Sequence, residues 1–116
     1  MLAHIKNAFG YSLAGLSAVI KDEIAFRILL LQTSAILILL VFLPISYNQR
    51  AFLVLSAAIC LIVELLNSAI ENVVDLVTHD WHILAKKAKD MGSAAQFIAS
   101  ASLYFQVMLI VVELFD

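Results

Sequence analysis

The sequence predicts an all-α membrane protein, an amphipathic surface helix followed by three transmembrane helices, and three observations carry that prediction. Hydrophobic residues make up 64% of the 116 residues and charged ones 14%, with a mean hydropathy of +1.03, too apolar for a soluble fold of this size. Two stretches, Ile28 to Gln49 and Met91 to Val112, each run 22 residues without a formal charge. Between them, Ala51 to about Ile70 is long enough to cross a bilayer yet carries Glu64 and Asn67. So short a soluble chain leaves too much surface exposed to hide this many Leu, Ile, Val and Ala side chains, so the solvent is lipid. The length suits one domain, residues 1–116, and no repeat, low-complexity tract or linker interrupts it.

Residues 1 to 27 form the surface helix. Ile5, Phe9, Leu13, Leu16 and Ile20 recur at three- and four-residue spacing, while Lys6, Asn7, Lys21, Asp22, Glu23 and Arg27 supply polar groups, the pattern of a helix lying in the interface. The interruptions at His4, Lys6, Asn7 and Ser12, with no small-residue cleavage site, argue against a secretory signal. Gly10 and Gly15 are spaced like the glycines of a phosphate-binding loop, but Leu16 replaces the required Lys and no strand precedes. The first span, about 28–45, has its apolar body from Ile28 to Leu43, and Pro44 stops the helix. The short connection from Pro44 to Arg50 holds the next helix antiparallel. That second span, about 51–75, continues past the hydrocarbon to Asp75. Thr78 to Asp90 is polar, with Trp81 as an interfacial aromatic, and reads as a surface loop or short helix before the third span at about 91–113.

Of seven Lys and Arg, Lys6, Lys21 and Arg27 precede the first span and Lys86, Lys87 and Lys89 lie between the second and third. Only Arg50 lies between the first and second, and none follows the third. The bias predicts a cytoplasmic N-terminus and an external C-terminus. The net charge of −2 and the scatter of basic residues exclude a nucleic-acid footprint, and the single cysteine, Cys60, excludes a disulfide framework and reads as a packed thiol.

The second span carries the chemistry. At 100° per residue, Glu64, Asn67, Ser68, Glu71 and Asp75 share a strip roughly 100° wide, with Leu65, Leu66, Ile70, Val73 and Val74 over the remainder. An acidic residue near a bilayer centre costs about 2.5–3.5 kcal/mol on insertion scales, so Glu64 marks a functional site. Helix-to-helix hydrogen bonding by Asn67 and Ser68 leaves Glu64 unexplained. Glu71 and Asp75 offer hard oxygens suited to Mg²⁺ shared with substrate phosphates, and Lys89 can meet a phosphate as a point charge. Glu64 lies about 10 Å deeper, where a lipid hydroxyl approaches, and a carboxylate withdrawn from water is the better proton acceptor. A proton or cation pathway and a partner-helix seam are the competing classes. Against a pathway, Ala51 to Val63 offers only Ser56 and Cys60 as polar groups, so the seam stops halfway and the site is entered from one side. His79 and His82 lack a third metal ligand, Gly92 reads as a close-packing position, and Trp81 and Tyr11 on their own read as interface aromatics.

The segments Glu64-Leu-Leu-Asn-Ser-Ala-Ile-Glu-Asn-Val-Val-Asp75 and Ala88-Lys-Asp-Met-Gly-Ser-Ala-Ala95 resemble the signature segments of the prokaryotic diacylglycerol kinases, and Gly10-Tyr-Ser12, Glu23, Phe26-Arg27 and Arg50 fall at matching distances. The resemblance implies a homotrimer of three-span protomers in the bacterial inner membrane, with composite active sites that transfer phosphate from MgATP to diacylglycerol and give phosphatidic acid. It implies Glu64 as general base, Asn67 as a polar support, and Glu23 and Glu71 as metal ligands, so that Glu23 displaces Asp75, which falls to a capping or salt-bridge role. It implies Tyr11, Asp80, Trp81, His82, Lys89 and Asp90 around the nucleotide, along with Glu23 and Glu71. Ser12, Ala25, Phe26, Arg27, Arg50 and Ser93, with Glu64, would surround the lipid. Near the N-terminus, where the family often has an Arg for the nucleotide, this chain has His4, a weaker and pH-dependent cation. Ile28 and Leu29 replace the Gln-Glu frequent in diacylglycerol-using members and are closer to the branch that phosphorylates undecaprenol, whereas Lys89-Asp-Met-Gly-Ser93 points back to diacylglycerol.

Overall fold

The computed structural model describes residues 1–116 as four helices: α1 Leu2–Asp22, α2 Ile24–Val41, α3 Tyr47–Val77 and α4 Ile83–Leu114. The last three are long and apolar enough to cross a membrane, and most of their large apolar side chains, such as Leu31, Leu39, Phe52, Leu66 and Phe97, face outward. Only 15 residues are buried, so lipid or neighbouring chains cover the remainder. The chain is a multi-pass membrane protein.

The surface helix ends earlier than the sequence suggests. Glu23 adopts an extended conformation (φ −115°, ψ 106°) and separates α1 from α2, so Ile24, Ala25, Phe26 and Arg27 open the first spanning helix. Arg27 reaches back to stabilise the break: its Nη1 donates to the carbonyls of Ile20 and Lys21, both at 3.0 Å, which satisfies acceptors left open where a helix ends. Glu23 makes no capping bond of its own. Gly10 and Gly15 lie inside continuous helix α1, which removes the phosphate-loop likeness.

The helix α2 stops at Val41, just ahead of Pro44, and α3 starts at Tyr47 because Ser46 and Gln49 form a reciprocal capping box: Gln49 N–H donates to Ser46 Oγ at 3.1 Å and Ser46 N–H to Gln49 Oε1 at 2.8 Å. Gln49 also donates to Glu113, and Gln32 of α2 to Tyr104 of α4. At the other end α4 begins at Ile83, well before Met91, because His82 Nδ1 accepts from Leu84 N–H at 3.1 Å and caps it. Helices α3 and α4, of 31 and 32 residues, are about 46 and 48 Å long against about 30 Å of hydrocarbon, so they continue beyond it.

These two helices form the main packed pair. The buried residues of α3 are Leu53, Ala57, Cys60, Glu64, Asn67 and Ser68; those of α4 are Gly92, Ala99, Leu103 and Ile110. Alternating three- and four-residue steps define a coiled-coil-like seam. Water provides no hydrophobic drive between helices in lipid, so close approach at Ala57, Cys60, Ser68, Gly92 and Ala99 holds the pair. The register is fixed twice: Cys60 Sγ donates to the Ala99 carbonyl at 3.1 Å, and Gly92 sits against Asn67, where an added Cβ would overlap Oδ1. Toward the capped end of α3, Leu40 and Ile45 join Leu53, Ala57, Leu103 and Ile110 in one apolar cluster.

Candidate active site

Helix α3 carries the predicted polar strip, and packing against α4 divides its members by depth. Asp75, near the C-terminus of α3, forms an ion pair with Lys89 at 2.7 Å, the salt-bridge role expected of it. Glu71 is half-buried, and Asn67, Ser68 and Glu64 are buried, with relative exposures of 9%, 5% and 8%. Glu64 is therefore a carboxylate withdrawn into the helix seam, and no side chain of its own chain donates a hydrogen bond to it. Glu71 lies two turns along α3 from Glu64, on the same face.

Glu23, from a second part of the chain, is brought beside α3. It reaches there because the break between α1 and α2 places the end of α1 over α3. A cleft of about 320 Å³ lies there, lined by Gly15, Val19, Glu23, Leu65, Ser68 and Asn72 among others. Neither Glu23 nor Glu71 takes part in an ion pair. Glu23 at this cleft is a hard oxygen donor of the kind that Mg²⁺ takes together with phosphate oxygens, whereas Glu71 is not among the residues lining it.

A second cleft, of about 310 Å³, opens at the far side of Asp75 between the end of α3 and the start of α4. Asp75, His79, Asp80, Trp81, His82 and Lys89 are among its lining residues. This unites four of the residues that the resemblance places around a nucleotide: Asp80, Trp81, His82 and Lys89. Thr78 Oγ1 accepts from Asp80 N–H at 3.0 Å and fixes the turn. Trp81 is 78% exposed. Asp90 points elsewhere on α4 and pairs with Lys86 at 2.6 Å.

Other expected residues line neither cleft. Tyr11 and His4 are exposed on α1, where Ser12 Oγ donates to the Ala8 carbonyl at 2.9 Å. Ala25 and Ser93 are exposed, whereas Phe26 is packed inside at 3% exposure. Arg27 is engaged at the α1 terminus. Arg50 donates to the Leu43 carbonyl at 3.2 Å, about 21 Å of helix from Glu64 at 1.5 Å per residue, so a single chain does not bring it to the carboxylates.

Sequence reasoning missed Gln96, the α4 side chain in the Glu64 layer of the seam. The cue was available: Gln96 follows Gly92 by four residues and precedes Ala99 by three, so it shares their buried face. The polar seam therefore extends past the α3 strip through Gln96 and Ser100 of α4. It ends in the apolar layers of Ala57, Leu103, Leu53 and Ile110, and no polar path crosses the pair.

The family model described as prokaryotic diacylglycerol kinase matches residues 10–112. A diacylglycerol kinase of Pseudomonas aeruginosa is 50% identical over 98 residues, covering 84% of this chain and 80% of its own length. One of Escherichia coli strain K12 is 42% identical over 95 residues, with coverages of 82% and 78%. One of Haemophilus influenzae is 39% identical over 98 residues, with coverages of 84% and 83%.

Proposed function

The chain belongs to the prokaryotic diacylglycerol kinase family, and on that premise we propose that it transfers the γ-phosphoryl group of ATP to the free hydroxyl of diacylglycerol, giving phosphatidic acid. The observation that carries this reading is the Glu64 carboxylate buried in the α3–α4 seam, on the helix whose later turns line one cleft with Glu23 and another with Lys89, Asp80, Trp81 and His82.

In this reading the nucleotide lies at the second cleft, with its phosphates directed toward Lys89, and releasing Lys89 from Asp75 is part of binding. The lipid enters along the bilayer with its hydroxyl at the depth of Glu64. Glu64 takes the hydroxyl proton while the lipid oxygen bonds to the γ-phosphorus, and the bond from that phosphorus to the β,γ-bridging oxygen breaks to leave ADP. Asn67, one turn away, supports the site. Glu23 and Glu71 would hold Mg²⁺, which when bound neutralises phosphate charge, the main demand of phosphoryl transfer. Positioning in a site shielded from water supplies the remainder.

The assembly is a homotrimer in the bacterial inner membrane, with the N-terminus and both clefts on the cytoplasmic side and the C-terminus outside. The exposed apolar faces of all three spans, the distance of Arg50 from Glu64, and the exposure of Tyr11 and His4 in one chain favour sites completed by a neighbour. Ile28 and Leu29 favour a second reading, undecaprenol as acceptor. The deciding experiment is a micelle assay with labelled ATP that offers diacylglycerol and undecaprenol separately. Transfer to diacylglycerol is expected; transfer to undecaprenol alone would change the substrate, and transfer to neither would overturn the kinase.

A further inference from the structure

Two buried oxygens in the α3–α4 seam have no hydrogen-bond partner: Asn67 Oδ1 and Gln96 Oε1. Both are acceptors, and they lie on facing helices. Contacts of Asn67 with Gly92 and of Cys60 with Ala99 set an antiparallel register in which Glu64 and Gln96 occupy the same layer, between those two contacts. That layer therefore collects the Glu64 carboxylate, a third acceptor with no side-chain donor from the chain. The Gln96 nitrogen donates instead to Ser100 Oγ at a long 3.3 Å.

A carboxamide keeps its shape when its nitrogen and oxygen exchange places, and it offers two N–H donors on one side and an acceptor on the other. Half a turn of the Gln96 amide lets its oxygen accept the Ser100 hydroxyl and directs both N–H groups into the seam. Three acceptors without a donor then become a connected set. Buried polar groups left unpaired are costly whereas satisfied networks fix side-chain position, so the rotated arrangement is the one the seam favours.

We propose that Gln96 is a positioning residue of the phosphoryl-transfer site, its carboxamide bridging from Ser100 to Asn67 Oδ1 and the Glu64 carboxylate. The proposal rests on the kinase reading for the word transfer, and on the helix register for the hydrogen bonds. Gln96 does not touch the reacting atoms. It holds the proton acceptor and its polar support at one depth while the lipid hydroxyl arrives.

Two measurements test this. In protein carrying ¹⁵N-labelled glutamine in micelles, the Gln96 side-chain amide is identified by its loss in Gln96→Met. We expect its signals to exchange slowly with water and to shift in both Asn67→Ala and Glu64→Ala; signals unmoved by either substitution overturn the bridge. In the transfer assay, Gln96→Met is expected to lower kcat about ten- to a hundredfold, the range for losing a partner that orients a reacting group, with KM for ATP and lipid within about twofold. Unchanged kcat, or a loss confined to KM, overturns the positioning role. Wild-type protein inactive with both lipids would defeat the kinase reading instead, while the amide signals would still decide the bridge.

Discussion

Gly92→Ala sets two well-known effects against each other at one atom. A glycine inside an α-helix is worse than alanine by about 0.5–1 kcal/mol, so on propensity alone the substitution stabilises α4. The seam opposes it. The new methyl would overlap Asn67 Oδ1, and stands 3.2 Å from Asn67 Cγ and 3.9 Å from Asn67 Cα. The short, buried side chain of Asn67 has few alternative rotamers within a helix, and its backbone lies too near for α4 to slide freely. Overpacking of this kind costs about 1–3 kcal/mol, which outweighs the propensity gain and leaves a net loss of about 0.5–2 kcal/mol. Reversible unfolding of the micelle-bound protein by added SDS measures it. Pairing the change with Asn67→Ala sharpens the test, because deleting the amide removes the overlap and lets the helix gain emerge, for a coupling of about 1 kcal/mol or more between the two sites. A Gly92→Ala protein more stable than the parent, or a double variant whose effects simply add, would show that α3 and α4 do not meet closely there, and the register assigned to Glu64 and Gln96 would fall with it.

Glu64→Gln keeps the size of the side chain and removes the proton acceptor, so transfer should drop by about 10²–10⁴-fold, the usual worth of acid–base catalysis, while helix content and assembly stay unchanged; near-normal turnover would exclude the general-base role. Glu23→Gln and Glu71→Gln should each raise the Mg²⁺ concentration needed for half-maximal rate, and titrations that match the parent in both variants would remove these residues from the metal site. A reporter fused after Asp116 should be active only outside the cytoplasm, and a cytoplasmic signal would invert the orientation assigned to both clefts.

The spanning helices were legible because lipid makes charge expensive: runs 28–49 and 91–112 stand out by the absence of charge, and Glu64 by its presence. The polar strip was legible for the same reason, since five polar residues at helical spacing survive any change of context. Helix ends were less so. Nothing in Ile20 to Arg27 announces the break at Glu23, which depends on a guanidinium folding back over seven residues, and His82 is a cap that only its conformation shows. The α3–α4 layers were hidden for a different reason. A lack of charge does not mean a lack of polarity, and Gln96 reads as one more member of an uncharged span until the facing helix supplies its register. Arg50 shows the remaining limit, because an arginine at the far end of α3 has no visible business with Glu64 inside one chain.

The break at Glu23 also acts as a mechanical joint. On one side is a helix suited to the membrane surface, on the other a helix that crosses it, and the Arg27 strut to Ile20 and Lys21 ties the two together. The angle between them is set at one extended residue, the one proposed to hold the metal. Glu23 thus stands at the corner of the chain, where the direction of its side chain is set by the angle between the two helices.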